Sequence, residues 1–268
     1  MKIWSGASIT SKSSRITRTN LVATYAKGCK FIAGGKEYTD WAMSLAGFLD
    51  GYVPDWWRYT VQESMFSNVA SIPMESESLL ANKLGEFFPW HSSVRFMADG
   101  SNPNEAAVRL ARAVTSRDEI FFQGYHGYGT SFPHNPDAND LHVDERRGIP
   151  EAMWKLTRQF VWGDYDKVSK IENVAAIIVE VPPQDEGAKE FLIHCLNQAH
   201  KIGALFVMDE VVTGLRLSPG GAQEYYGVRA DLTCLGKTLG NGVNISALLG
   251  DESVLKYFSE GVHYSCTF

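Results

Sequence analysis

From residue 90 onward, short apolar runs alternate with stretches in which apolar residues recur every three or four positions. The runs predict β-strands, and the periodic stretches predict amphipathic helices. The predicted strands are residues 94–98, 119–123, 160–162, 174–180, 204–209, 232–235 and 245–249. The predicted helices are residues 104–114, 151–158, 164–171, 189–202 and 252–258. This alternation is typical of an α/β fold, in which helices flank a mostly parallel sheet.

The first 60 residues follow a different pattern. Residues 1–20 are rich in Ser, Thr and basic side chains, which predicts a surface arm without a core of its own. A Gly-Gly pair divides the apolar segment 31–49 and predicts a β-hairpin or meander. The aromatic residues at 54–59 are predicted to form a loop. We therefore divide the chain into an N-terminal arm with a β-rich segment, residues 1–60, and an α/β domain, residues 61–268.

Composition and charge exclude several classes of function. The 268 residues are 44% hydrophobic and 21% charged, as in ordinary globular proteins. With 25 basic and 31 acidic residues the formal charge is −6, which offers no basic surface to nucleic acid or to a membrane. The four cysteines form no Cys-x-x-Cys pair, and His194 and His200 lie on different faces of a predicted helix, so we expect no metal site. No apolar run approaches the roughly 18 residues of a membrane span. These features predict a cytoplasmic protein.

Three ionisable residues stand at or just beyond the ends of predicted strands: Glu180, Asp209 and Lys237. Because ligands of open α/β sheets lie beyond the carboxyl ends of the strands, we expect these side chains to converge on one crevice. The Gly-Lys-Thr sequence around Lys237 resembles the end of a phosphate-binding P-loop, but Asp231 occupies the position of the first required glycine. We therefore reject a P-loop and expect Lys237 to have another chemical role.

Two loops that follow predicted strands suggest what that chemistry is. Residues 100–102, Gly-Ser-Asn, lie between a strand and a helix, where free backbone N–H groups favour a phosphate. The loop 124–129 has its glycines in the reverse order of the dinucleotide fingerprint, so we reject a nicotinamide site there. Tyr125 or His126 in this loop is suited to stack on a flat ring. A phosphate cradle, an aromatic ring, a buried aspartate and a lysine are together what pyridoxal 5′-phosphate demands of a protein.

Four segments carry a resemblance to the class III aminotransferases, the fold type I pyridoxal-phosphate enzymes that include ω-transaminases and glutamate-1-semialdehyde aminomutase. Residues 99–112 resemble the phosphate loop and its helix, and residues 124–127, Gly-Tyr-His-Gly, resemble the ring-stacking motif. Residues 209–216 resemble the aspartate motif, and residues 231–237 resemble the lysine motif. The four occur in the order of the family. The resemblance covers most of residues 20–268.

The resemblance implies how the cofactor would be held. The residues that it assigns to the cofactor phosphate are Gly100, Ser101 and Asn102. Tyr125, with His126 beside it, would stack on one face of the pyridine ring, and Val211 would pack on the other.

It also implies which groups would act on the ring and the substrate. Asp209 would pair with the ring nitrogen. Lys237 would form a Schiff base with the cofactor aldehyde and move the proton between the substrate Cα and the cofactor C4′. Glu180 is either a site residue or a strand-end carboxylate, because Val181 separates it from the proline that follows directly in the family.

The last residues, 263–268, resemble the segment in which a family threonine reaches the cofactor phosphate of the partner subunit. By that match Thr267 completes the other subunit's site, which implies a homodimer with a shared active site. Family chains continue into a smaller C-terminal domain that helps to bind substrate. We expect that domain to be absent from this sequence, which ends at Phe268.

The implied function is that of an aminotransferase, which moves an amino group between an amine or amino acid and a keto acid or aldehyde. Two alternatives stay open. One is a 2,1-aminomutase of the glutamate-1-semialdehyde type, which the sequence of residues 209–214, Asp-Glu-Val-Val-Thr-Gly, favours. The other is a pyridoxal-phosphate-binding protein whose catalysis is impaired.

Overall fold

The computed structural model describes residues 19–64, 72–133, 146–182 and 185–264. These residues fall into two compact units, one within Met1–Asn68 and the other within Val69–Phe268. The division of the chain into an N-terminal part, residues 1–60, and an α/β domain, residues 61–268, stays a prediction. Thr267 and most of the predicted arm lie outside the described residues.

The first unit contains a three-stranded antiparallel sheet in the order β1–β2–β3. Its strands are β1 Ala23–Lys27, β2 Lys30–Ala33 and β3 Lys36–Thr39. The Gly-Gly pair joins β2 to β3, so the predicted hairpin is confirmed. Helix α1, Asp55–Ser64, follows, and the prediction of a loop at 54–59 was wrong. Pro54 just before the helix and Asp55 in its first turn are the physical reason, since both favour a helix start.

The second unit is organised around a seven-stranded sheet in the order β4–β10–β9–β8–β7–β5–β6. Its strands are β4 Ser93–Met97, β5 Ile120–Gln123, β6 Thr157–Gln159, β7 Ala176–Glu180, β8 Leu205–Asp209, β9 Leu232–Leu235 and β10 Ser246–Gly250. Strand β10 runs antiparallel to both of its neighbours. The pairs from β9 across to β6 are parallel. The predicted α/β class with a mostly parallel sheet is therefore confirmed.

Helices connect these strands. They are α2 Glu75–Phe87, α3 Ser101–Thr115, α4 Glu151–Trp154, α5 Tyr165–Ser169, α6 Ala188–Ile202, α7 Gly221–Tyr226 and α8 Glu252–Leu255. The prediction of one helix over 151–158 and a strand at 160–162 was wrong, because α4 ends at Trp154 and β6 begins at Thr157. The Thr157 hydroxyl donates to the Trp154 carbonyl and closes the turn between the two elements (2.9 Å). The sequence analysis did not predict α7.

The core lies on both faces of the second sheet. Helix α3 covers one face with a buried stripe that includes Ala107 and Leu110, and α6 covers the other with Phe191 and Leu192. Strands covered on both faces bury consecutive residues, which explains why β7 is a continuous apolar run rather than an alternating one. Each large side chain buried in this way contributes about 1.5–3 kcal/mol. Among the helices of the described residues, none has the length and apolarity needed to cross a membrane.

Candidate active site

The three residues Glu180, Asp209 and Lys237 lie together at the carboxyl ends of the parallel strands of the second sheet. The parallel register of β7 and β8 pairs Glu180 with Asp209, and Lys237 follows the end of β9 by two residues. Burial lowers the pKa of the Lys237 ammonium, and the charge of Arg216 acts in the same direction. The carboxylates of Asp209 and Glu180 raise that pKa, but the net shift is downward. Lys237 is therefore a half-buried amine within electrostatic reach of both acids.

The backbone of Lys237 is itself unusual. Its φ of 42° lies in the left-handed region, which costs a residue with a side chain about 1–2 kcal/mol. The residue opens a 3₁₀ turn, Lys237–Leu239, directly after β9, and Gly240 N–H closes this turn on the Lys237 carbonyl (3.1 Å). Strain of this kind is concentrated at functional sites.

Asp209 and His126 form a buried hydrogen-bonded pair. Its side chain is 3% exposed, and its Oδ2 lies 2.8 Å from His126 Nδ1. The other ring nitrogen, Nε2, lies 2.9 Å from the Gln123 carbonyl oxygen, which can only accept. The carboxylate also receives the amide of Asn104 on Oδ2 (2.8 Å) and the N–H of Val211 on Oδ1 (3.0 Å). Both nitrogens of the ring thus face oxygen atoms, and the Asp209 carboxyl group has three polar neighbours, His126, Asn104 and Val211.

Asn104 links this aspartate to the loop before α3. Its Nδ2 donates both to Asp209 and to the Gly100 carbonyl (3.0 Å). Its Oδ1 is buried and has no hydrogen-bond partner among the described residues. Buried acceptors are nearly always satisfied, so an orphan of this kind calls for an explanation such as an absent ligand or water.

The loop 124–129 is held by the same strand ends. Glu180 Oε2 accepts the Tyr125 N–H (2.9 Å), while His126 is paired with Asp209 as described. The Tyr125 side chain is 53% exposed. Any side chain in place of Gly124, whose φ is 98°, would overlap Glu180. The structure thus places Tyr125 and His126 beside the two carboxylates that the strand-end rule selected.

The turn that contains Gly100 packs tightly against the segment after β8. A Cβ added to Gly100 would lie 2.7 Å from Val211 Cγ1, and one added to Gly236 would lie 3.2 Å from the same atom. Ser101 and Asn102 open helix α3, and both of their N–H groups point to Asp99 Oδ1 (2.8 and 3.3 Å). The predicted phosphate loop, Val211 and the glycine that precedes the lysine are therefore neighbours.

Glu210 is a supporting residue that the sequence analysis missed. It is fully buried, and its carboxylate accepts Ala222 N–H (2.5 Å), Gln223 N–H (3.2 Å) and Gln223 Nε2 (3.0 Å). Burial raises the pKa of this carboxyl, and these hydrogen bonds oppose the rise. Glu210 therefore caps α7 and fixes the chain directly after Asp209. Its only sequence signal is an acidic residue adjacent to a strand-end aspartate.

The family model described as aminotransferase class-III matches residues 12–268. The chain belongs to this family. A curated relative, glutamate-1-semialdehyde 2,1-aminomutase of Gemmatimonas aurantiaca, is 35% identical over 251 residues, which are 89% of this chain and 58% of the relative. The chain thus spans little more than half the length of that class III protein.

Solved structures share the class III fold of this chain. An omega-transaminase from Sphaerobacter thermophilus superposes with a TM-score of 0.80 at 24% identity, over 92% of this chain and 62% of that one. A transaminase with pyridoxal phosphate bound gives the same TM-score and coverage at 21% identity. At these identities the likeness concerns the fold.

Proposed function

We propose that this chain binds pyridoxal 5′-phosphate and acts as an aminotransferase, which moves an amino group from an amine or amino acid to a keto acid or aldehyde. The observation that carries the proposal is the half-buried Lys237 beside Asp209 and Glu180. A lowered pKa increases the fraction of the lysine that is a free amine, and the free amine is the form that attacks an aldehyde.

The chemistry of the described residues fits this cofactor. Asp209 is a buried carboxylate, which suits a protonated pyridine nitrogen, and Lys237 is an amine suited to the aldehyde. The orphan Oδ1 of Asn104 next to Asp209 is an acceptor of the kind that a bound ligand satisfies. The absence of a side chain at Gly100 lets the start of α3, where a phosphate would bind, pack closely against Val211. Pyridoxal phosphate, when bound, supplies an electron sink for a substrate carbanion.

The residues around that group would each perform one task. Asp209 would hold the proton on the ring nitrogen, and its contact with His126 fixes the position of the carboxyl group. Lys237 anchors the cofactor aldehyde and, once released by an incoming amine, carries the proton between the substrate Cα and the cofactor C4′. Glu180 fixes the loop through the Tyr125 N–H and contributes negative charge near the lysine.

The remaining assignments concern cofactor position. We propose that Tyr125 and Val211 contact opposite faces of the ring and that Gly100, Ser101 and Asn102 receive the phosphate. Thr267, outside the described residues, would reach the phosphate of the partner subunit in a homodimer.

The test is a comparison of Lys237→Ala with Lys256→Ala, in which a half-exposed lysine of the 3₁₀ turn after α8 is removed instead. Both variants and the wild type are incubated with pyridoxal phosphate, treated with borohydride and mapped by mass spectrometry. The wild type and Lys256→Ala should carry the cofactor on Lys237 and transfer amino groups in a donor and acceptor panel. Lys237→Ala should bind the cofactor reversibly and transfer none. Normal transfer by Lys237→Ala would refute the proposal.

A second candidate is an intramolecular 2,1-aminomutase. It is favoured by the curated relatives, of which two are glutamate-1-semialdehyde 2,1-aminomutases of Gemmatimonas aurantiaca and Aquifex aeolicus at 35% and 34% identity. Supplying glutamate-1-semialdehyde without a separate donor or acceptor separates the two functions. Formation of 5-aminolevulinate under those conditions supports the aminomutase, and its absence alongside transfer in the panel supports the aminotransferase.

A further inference from the structure

Asp99 occupies the N–H groups on which a phosphate at this site would depend. Its Oδ1 accepts the N–H of Ser101 (2.8 Å), the first residue of α3. The next N–H, that of Asn102, is shared between this Oδ1 (3.3 Å) and the main-chain carbonyl of Asp99 (3.1 Å). Its Oδ2 accepts the Tyr128 hydroxyl (2.9 Å). The carboxylate thus lies where the positive end of a 15-residue helix attracts an anion.

A second observation marks this helix start as a ligand site. Asn104, one turn further along α3, is 1% exposed and bonds to the Gly100 carbonyl, while its Oδ1 has no partner among the described residues. An orphan acceptor calls for a hydrogen-bond donor, which another part of a ligand held at this helix start would supply.

A carboxylate and a phosphate cannot share these N–H groups. Each amide hydrogen forms one strong hydrogen bond, and two anions in the same place repel. Unit charges of like sign about 4 Å apart change an affinity by about fivefold even at the dielectric constant of water, and by more in a half-buried site. The phosphate must therefore displace Asp99 from its two amides.

We propose that Asp99 is an internal competitor for the cofactor phosphate and sets how tightly this site holds pyridoxal phosphate. The proposal rests on the function proposed above. The displaced carboxylate keeps one hydrogen bond, because the Tyr128 hydroxyl already donates to its other oxygen. The hydrogen bond to Asp99 is also the main cause of the raised pKa of the Tyr128 hydroxyl, and burial adds to it.

The test removes the negative charge of residue 99 and keeps a side-chain oxygen that can cap α3. Asp99→Asn retains an oxygen that can accept the two amides, so the fold should be preserved. These bonds are no longer charge-assisted, so a phosphate displaces the Asn side chain more easily and meets no negative charge. The matched control is Asp164→Asn, which removes the same charge from another capping aspartate, the one whose Oδ1 accepts Lys167 N–H (2.9 Å). Asp164 follows β6 at one edge of the sheet, whereas Asp99 follows β4 at the other.

Three probes are titrated into the full chain at low ionic strength, with tryptophan fluorescence as the readout: inorganic phosphate, pyridoxal phosphate and pyridoxal. Asp99→Asn should lower the Kd for the two phosphate-bearing probes by at least about fivefold and leave that for pyridoxal within about twofold. Raising the salt concentration should shrink the difference, since exposed charges are screened. Asp164→Asn should change none of the three values.

The outcomes separate this inference from the proposed function. An unchanged or raised Kd for inorganic phosphate in a folded Asp99→Asn variant would overturn the role of Asp99. Failure of both wild type and Asp99→Asn to attach pyridoxal phosphate to Lys237 would instead count against the proposed function, while the phosphate titration still decides on Asp99. An equal gain for pyridoxal and pyridoxal phosphate would also overturn the inference, because the effect would not depend on the phosphate.

Discussion

Replacing His126 by Phe tests whether the pair with Asp209 is ionic. His126 is 1% exposed and lies among aromatic rings, with centroids 4.8 Å from Phe132 and 5.9 Å from Phe122. Phe preserves the ring and its packing against these neighbours. It removes the positive charge and both of the hydrogen bonds that the imidazole makes.

The expected loss of stability is large. The bond to the Asp209 carboxylate is charge-assisted and contributes about 1.5–3 kcal/mol. Its removal also leaves a buried carboxylate without its counter-charge, and breaking one partner of a buried pair costs about 3–5 kcal/mol in total. Since domains are stable by only about 5–15 kcal/mol, His126→Phe should shift the urea midpoint strongly. Two hydrogen bonds from Asn104 and Val211 remain on Asp209, which places our expectation at the lower end of that range.

A double-mutant cycle isolates the pair. The free energies of unfolding of His126→Phe, Asp209→Asn and the double variant are measured by urea titration at neutral pH without cofactor. The two changes should be non-additive by at least about 1.5 kcal/mol, because the second removes the charge that the first exposed. In the control cycle Asp164→Asn replaces Asp209→Asn, because the Asp164 carboxylate caps α5 through Lys167 N–H and not this loop. It should be additive with His126→Phe within about 0.5 kcal/mol. Additivity in the first cycle would refute the ionic pair.

Two further predictions follow from the geometry. Gly100→Ala should weaken pyridoxal phosphate binding by about tenfold, because the added Cβ would meet Val211 Cγ1 at 2.7 Å. A Kd unchanged by Gly100→Ala would contradict the close packing. Burial lowers the pKa of His91 to about 4, from 6.5 for the same imidazole in the unfolded chain. The free energy of unfolding should therefore fall by up to about 3 kcal/mol as the pH drops from 6.5 to 4. In denaturation titrations, His91→Gln should make the free energy of unfolding less dependent on pH, whereas the exposed His263→Gln should not. An equal pH dependence in wild type and His91→Gln would show that His91 is not the group responsible.

The strands of the second sheet were predictable because their burial is simple. Strands β7 and β8 are covered on both faces, so their sequences are apolar runs, which end in Glu180 and Asp209. Strand β9 is also buried and ends two residues before Lys237. The position of Glu180, Asp209 and Lys237 at one edge then follows from the parallel order of those strands.

The parts that sequence reasoning missed are short or depend on distant residues. Strand β6 has three polar residues, Thr157–Gln159, on the edge of the sheet, and its pairing with β5 rather than its own pattern makes it a strand. Asn104 is 105 positions from the Asp209 carboxylate that it binds. Neither local periodicity nor motif spacing indicates a contact of that kind.

The loop after β5 shows how distant acids give a fixed structure to a segment that has no regular pattern. Four of its residues are bonded to carboxylates from outside the loop, one each: Tyr125 to Glu180, His126 to Asp209, Tyr128 to Asp99 and Ser131 to Glu105. The glycines of the loop stand where these acids approach, since a Cβ at Gly124 would overlap Glu180 and one at Gly129 would overlap Glu105. Gly127, between them, packs against Ser101 instead. The order Gly-x-x-Gly-x-Gly therefore reflects close packing against neighbouring side chains. This is the physical reason why the loop does not match the dinucleotide fingerprint and yet holds Tyr125 and His126 in fixed positions beside Glu180 and Asp209.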